Sequence, residues 1–203
     1  MSEDQQTKLQ PDIGARPLKA ADRIRQTARD LFYQQGIRAV GVDEIVAQAG
    51  VTKPSLYRSF ASKDDLAAAC LVDYDRDFWI KFDAAVAAHP GNPRAQLIAY
   101  MTGLAQRATQ NGYRGCGMTN AAVEYPGPTN PAHMVSLRNK QELRRRLRLM
   151  AAEMGAKLPD QLGDGLLLLL EGSYASGQLF GEGGPAGQLP AVAATLIDAA
   201  IAD

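Results

Sequence analysis

Between positions 53 and 63 stand Lys53, Ser55, Tyr57, Arg58, Ser59 and Lys63, a group of ammonium, guanidinium and hydroxyl side chains. It contains neither a nucleophile with its base nor a set of metal ligands. It is a set of hydrogen-bond donors, the chemistry that suits phosphate oxygens and the edges of bases. Pro54 sits among them where the first turn of a helix tolerates a missing N–H. Tyr57 is the informative member. Leu56 and Phe60 already supply the apolar anchors of this stretch, so a tyrosine on the other side offers its hydroxyl outward.

The elements that must position these groups are written in "VDEIVAQAGVTKPSLYRSF", Val42 to Phe60. It reads as two very short amphipathic helices hinged at Ala49-Gly50-Val51. Helices this short are marginal alone, because nucleation is costly and few backbone bonds repay it. They must therefore be packed on something else. Val42, Ile45, Val46 and Ala49 form the inward face of the first, and Val51, Leu56 and Phe60 that of the second. Gly50 falls where the turn requires a small or left-handed residue, and Thr52 is placed to cap the second helix by accepting its free N–H groups. This is a helix-turn-helix. In such a motif the start of the second helix enters the major groove, which makes Lys53, Pro54, Ser55, Tyr57 and Arg58 candidate DNA contacts. Lys63 brings a charge and a fresh helix N-terminus to the same backbone.

Residues from about Ile24 to Leu66, and above all "VDEIVAQAGVTKPSLYRSFASKDDL", resemble the DNA-binding domain of the TetR/AcrR family of bacterial transcriptional regulators. The resemblance implies an all-α homodimer with a three-helix DNA-binding head, a long linking helix and a variable C-terminal domain that binds a small effector. It also implies that Lys53, Pro54, Ser55, Tyr57 and Lys63 occupy recognition-helix and phosphate-contact positions. Gly41 departs from the pattern, since the family usually carries Ser or Thr there as a cap and phosphate ligand.

The rest of the chain is also helical in pattern. Ile24, Ala28, Leu31 and Phe32 form one stripe that stops at Gly36. Ser62 and Asp65 make a capping box for a helix that runs to about Ala88. Asn92-Pro93 and Asn130-Pro131 each pair a cap residue with a first-turn proline, opening helices to about Asn111 and Gly155. A short helix fits near Met118 to Glu124, and two more fit Pro159 to Phe180 and Leu189 to Ala202, joined by the loop "GEGGPAGQ". No stretch alternates as a strand does, so the expected fold is all-α. The expected divisions are a disordered arm over 1–18, a DNA-binding domain over 19–65, and a regulatory, ligand-binding and dimerisation domain over 66–203.

Composition narrows the function class. Lys plus Arg equal Asp plus Glu at 22 each, yet nine basic residues face four acidic ones between Arg16 and Lys63. That local excess is an electrostatic footprint. The N-terminus has no apolar signal segment, and apolar runs such as Leu166 to Leu170 are far short of the ~20 residues that span a bilayer. A cytoplasmic location with no membrane partner is expected. Cys70 and Cys116 stand in no metal spacing, and His89 and His133 belong to no nucleophile elbow, P-loop or GxGxxG. No enzyme, cofactor or metal is expected; the partners are an operator in double-stranded DNA, a second copy and a small effector.

In the regulatory half, Trp79, Tyr100, Met101, Leu104, Cys116, Met118 and Tyr125 offer aromatic and adaptable surface for a largely apolar effector. Cys116 has two readings: a small core residue, or a redox and electrophile sensor whose thiol Arg114 and a helix start would activate. Arg144, Arg145, Arg146 and Arg148 read as the solvated face of a long helix. The last two helices carry Leu166, Leu167, Leu169, Leu170, Leu179, Phe180, Val192, Leu196 and Ile197, more apolar surface than one thin domain buries. With Gly165, Gly172 and Ser176 on one side, they are expected to form a four-helix dimer interface.

Overall fold

The stripe Ile24, Ala28, Leu31 and Phe32 becomes the buried side of the first helix, α1 (Ala20–Gln35), in a computed structural model that describes residues 19–202. The arm expected over residues 1–18 lies outside the described residues. α2 (Val42–Ala49) and α3 (Lys53–Ser59) pack on α1, and Ile24, Val40, Ile45 and Leu56 at their junction are fully buried. Three helices too short or too polar to persist alone thus share one small core. Between α2 and α3, Gly50 adopts φ +62° and ψ +44°, the left-handed conformation that glycine reaches without the penalty a Cβ brings.

One local expectation fails. The Thr52 side chain caps no amide of α3; its hydroxyl lies 3.1 Å from that of Ser55. The neighbouring hydroxyl competes for it, while the Thr52 carbonyl accepts from the Ser55 and Leu56 N–H groups at 2.9 and 3.2 Å. The other caps form. Ser62 accepts from the Asp65 N–H at 3.0 Å and donates its own proton to the Asp65 carboxylate at 2.7 Å, opening the long helix α4 (Lys63–Ala87). Asn92 accepts from the Ala95 N–H to open α5 (Pro93–Ala108), and Asn130 accepts from the Ala132 N–H to open α7 (Pro131–Glu153). Between them lies α6 (Gly117–Glu124), and α8 (Pro159–Phe180) and α9 (Leu189–Ile201) complete the chain. The segment before α9, read as loop, holds a 3-10 turn at Pro185–Gln188 that buries Ala186. Every regular element among the described residues is helical.

α4 is the spine: its start packs on α1 and its length on α5, α6 and α7. Three polar rungs join it to α7, Asn130 to Asp64 (2.9 Å), Asn139 to Asp75 (2.8 Å) and Arg146 to Asp83 (2.6 Å). The arginine run of α7 is therefore not a simple solvated face. Arg144 and Arg148 both fork onto Asp164 of α8 at 2.6 to 2.9 Å, and the Arg146 guanidinium lies 4.1 Å from the centre of the Trp79 ring. α7 and α8 approach so closely at Gly163 that a Cβ there would stand 2.8 Å from the Arg148 backbone.

The leucine run of α8 divides by face. Leu166 and Leu170 are fully buried within the subunit, as is Ile197 of α9, because α8 packs on both α7 and α9. Gly165 serves that same contact, facing Leu196. Leu168, Gly172, Ala175 and Leu179 follow each other at helical spacing along the opposite, exposed side of α8, beside exposed Val192 of α9.

Candidate functional site

Leu56, fully buried, fixes the rotation of α3 about its axis, so the side chains around it in sequence must face out. Tyr57 is half exposed, Lys53, Pro54 and Arg58 are exposed, and Ser55 is half-buried. These groups already constrain each other. Lys53 is paired with Asp43 of α2 at 2.7 Å, a partner that raises the lysine's pKa above its ordinary value. Arg58 donates to the Ser55 hydroxyl at 2.9 Å, and Ser59 to the Ser55 carbonyl. Lys63, at the head of α4, reaches the Arg38 carbonyl at 3.4 Å. A donor-rich strip therefore runs from α3 to the α4 N-terminus. The local basic excess is only partly its own, since Arg25 and Arg29 turn the other way, onto Asp73 and Asp77 of α4.

On the far side of α1 is a cavity of about 410 Å³. Its walls come from α1, α4, α5, the 112–115 loop, α6 and Tyr174 of α8. Three ties between the three-helix head and the helices behind it pass along this cavity, while the Arg25–Asp73 pair stands outside it. Arg29 meets Asp77 at 2.6 Å. The Tyr33 hydroxyl accepts from the Arg114 N–H (3.0 Å) and donates to the Gly115 carbonyl (3.3 Å). The Arg38 N–H donates to Glu124 at 2.7 Å. Arg29, Asp77, Tyr33, Gly115 and Glu124 are all lining residues.

Burial pushes the phenols of Tyr74, Tyr100 and Tyr174 above their ordinary range, so they remain neutral donors at physiological pH. Burial likewise pushes the Cys70 thiol up to about 12.

Of the seven effector candidates, the cavity brings together Tyr100 and Leu104. Met101 and Met118 are fully buried in the core. Trp79 packs edge-on against Phe78 and Phe82, donates to Asp75 and lies under Arg146. Tyr125 follows α6, and its carbonyl takes a 2.8 Å contact from His133 Nδ1. Cys116 lies between the lining glycines Gly115 and Gly117, 1% exposed, with its thiol 3.4 Å from Lys140 Nζ. A reactive thiol is ordinarily partly exposed; this one is closed off from solvent.

Sequence reasoning missed Tyr74, Phe78, Lys81, Arg107, Tyr113 and Tyr174 as lining residues. A signal for four of them exists. Tyr74, Phe78 and Lys81 on α4, and Tyr100, Leu104 and Arg107 on α5, both run aromatic, apolar, cation at i, i+4 and i+7, on two helices joined by a short turn. Such a shared pattern marks one lined face.

Comparison with known proteins bears on the fold that carries this geometry. Residues 24–70 match the family model "Bacterial regulatory proteins, tetR family". The repressor BdcR of Escherichia coli is 38% identical over 69 residues, 34% of this chain and 35% of that protein. The match spans about a third of the length of such curated relatives. The similarity to solved structures extends further. A TetR-family transcriptional regulator from Streptomyces coelicolor is 31% identical with a TM-score of 0.80, over 90% of this chain and 94% of that one. A TetR-type regulator from Streptomyces avermitilis is 28% identical with a TM-score of 0.78, over 90% and 98%. With an N-terminal helix-turn-helix, an all-helical C-terminal body and a likeness that runs the length of both chains, this chain belongs to the TetR family of bacterial transcriptional regulators.

Proposed function

We propose that the chain acts as a homodimeric repressor that binds a two-fold-symmetric operator through α3 and leaves it when a small effector fills the cavity between head and body. The observation that carries this reading is the donor strip of Lys53, Ser55, Tyr57 and Arg58 on a helix whose rotation Leu56 fixes, continued by Lys63 at the head of α4. One recognition helix reads only a few base pairs, and two-fold proteins match two-fold sites. The exposed stripe Leu168, Gly172, Ala175 and Leu179, with Val192 beside it, supplies an apolar face for a second copy. The working units are a DNA-binding head over 19–65 and a regulatory and dimerisation body over 66–203. The cytoplasm is the compartment such a regulator needs, and no cofactor or metal enters the reading.

Release follows from where the cavity lies. An effector there touches Arg29, Tyr33 and Glu124, the head's attachments, so the tilt of the head depends on what fills the space. Half-sites lie about one turn of DNA apart, roughly 34 Å, so a shift of a few ångströms between the two heads breaks simultaneous engagement. The effector binds the DNA-incompetent state better, and by linkage operator DNA weakens effector binding. A gel-shift titration tests the docking: Tyr57→Ala and Lys63→Ala weaken binding to every duplex, whereas Lys53→Ala or Ser55→Ala changes which duplex is preferred. Unchanged affinity in the first pair means that α3 is not the reading helix.

A further inference from the structure

The cavity has two ends of different chemistry. Deep inside, Tyr174 is buried on α8 with its hydroxyl near that of Tyr100 but in no hydrogen bond of good geometry among the described residues. A buried hydroxyl left unpaired costs free energy that a suitably placed ligand atom recovers. Around it, Tyr74, Phe78, Tyr100 and Leu104 offer ring faces, ring edges and an aliphatic surface.

Nearer the mouth, Lys81 of α4 and Arg107 of α5 line the same space. Neither has a carboxylate within ion-pair distance among the described residues. The carboxylates nearby are already engaged: Asp77 holds Arg29 at 2.6 Å and Arg76 at 3.8 Å, and Glu124 takes the Arg38 N–H. Asp30 lines the opposite, α1 side. Arg107 is folded back over Gly103, where a Cβ would meet Nη1 at 3.3 Å. Partial burial and the nearby Arg107 charge together lower the Lys81 pKa. Two cations that repel one another beside an apolar space, neither in an ion pair and with the nearby Asp77 shared with Arg29 and Arg76, are relieved by an anion from outside.

Resting on the reading of this cavity as the effector site, we infer that the effector is a small aromatic acid: its carboxylate is held between Lys81 and Arg107, its ring lies among Phe78, Tyr100 and Leu104, and its far end accepts a hydrogen bond from Tyr174. Arginine engages a carboxylate through two parallel hydrogen bonds, and lysine adds a point charge. A cavity of about 410 Å³ holds one molecule of this kind, near the lower end of the ordinary range for ligand sites. The carboxylate is the recognised feature, since the ring surface alone accepts any apolar guest.

Isothermal titration of the full-length protein with 2-naphthoate and with its uncharged counterpart 2-naphthamide tests this without depending on any one variant. The acid binds at least about tenfold tighter than the amide, and Lys81→Gln with Arg107→Gln removes that preference, as the loss of a charge-assisted pair requires. Tyr174→Phe leaves both probes, which carry no acceptor on the far ring, bound as before, and removes the gain in affinity that 6-hydroxy-2-naphthoate shows over 2-naphthoate. Leu104→Trp, which fills the space, abolishes both while the helical circular dichroism is unchanged. Equal affinity for the two probes, lost in Leu104→Trp, overturns the acid assignment and leaves the cavity as the effector site. Binding that Leu104→Trp leaves intact, or no binding of either probe, overturns both.

Discussion

At the scale of single residues, the strip proposed to face DNA is a set of groups already occupied with each other. Lys53 must leave Asp43 before it can reach a base or a phosphate. Asp43→Asn therefore raises affinity for DNA of any sequence at low salt, because it removes both the competing partner and a like charge to the phosphates; fluorescence anisotropy on a random duplex reads it. Lys63→Ala lowers the slope of log affinity against log salt by about one unit, the signature of one lost phosphate contact. The buried tyrosines make a second prediction. Tyr74, Tyr100 and Tyr174 have phenol pKa values raised by burial, above the 10.0 of a free tyrosine. Up to pH 10 these phenols are neutral whether the chain is folded or not. Above it the unfolded chain releases protons that the folded chain retains, so stability falls as pH rises. The thermal midpoint is expected to be flat below pH 10 and to drop above it, with the phenolate absorbance of these residues appearing only on unfolding.

At the scale of elements, what could be read from sequence and what could not separate by distance along the chain. Ser62, Asn92 and Asn130 announce the helices they cap because capping is a matter of three or four consecutive residues. The outward face of α3 is legible for the same reason: Leu56 and Tyr57 are neighbours, and only one can point inward. The cavity is not legible this way, since Arg29, Lys81, Arg107, Ala121 and Tyr174 come from five helices. Trp79 shows the limit of residue type as a guide. An isolated tryptophan suggests a ligand wall, but the Arg146 guanidinium and the Phe78 and Phe82 rings cover it. Thr52 shows that even a local rule yields when a second hydroxyl, that of Ser55, lies within reach.

Two glycines test the placement of the elements. Gly50→Ala meets no atom within 4 Å but must hold φ +62°, so it costs about 1–2 kcal/mol through the backbone alone. Gly163→Ala drives a Cβ to 2.8 Å from the Arg148 backbone, where α7 and α8 cannot both stay in place, and costs about 1–3 kcal/mol as overpacking does. Urea unfolding of the two variants separates these causes. The first is expected to weaken DNA binding at unchanged helix content, and the second to lower global stability and disturb the Arg148–Asp164 fork.

At the scale of the whole molecule, the proposed mechanism joins the exposed stripe on α8 to the head–cavity–body arrangement. A dimer holds two heads at a fixed spacing only if the bodies are joined rigidly, and small residues such as Gly172 and Ala175 let two helices approach closely enough to do so. Leu168→Glu places a charge on that stripe, and sedimentation at micromolar concentration is expected to give the mass of one chain where the native protein gives two. The monomeric variant keeps its cavity and loses operator binding, since a single recognition helix contributes too few contacts.

The most direct test of the central claim is in vitro selection of the native protein against a pool of randomised double-stranded DNA at ~0.15 M salt, an ionic strength that suppresses purely electrostatic binding. The predicted result is enrichment of one inverted repeat, replaced by a different preference or none when the selection is repeated with the Lys53→Ala, Ser55→Ala protein. A pool that stays random, or the same repeat recovered with that variant, contradicts the assignment of α3 as the surface that reads DNA.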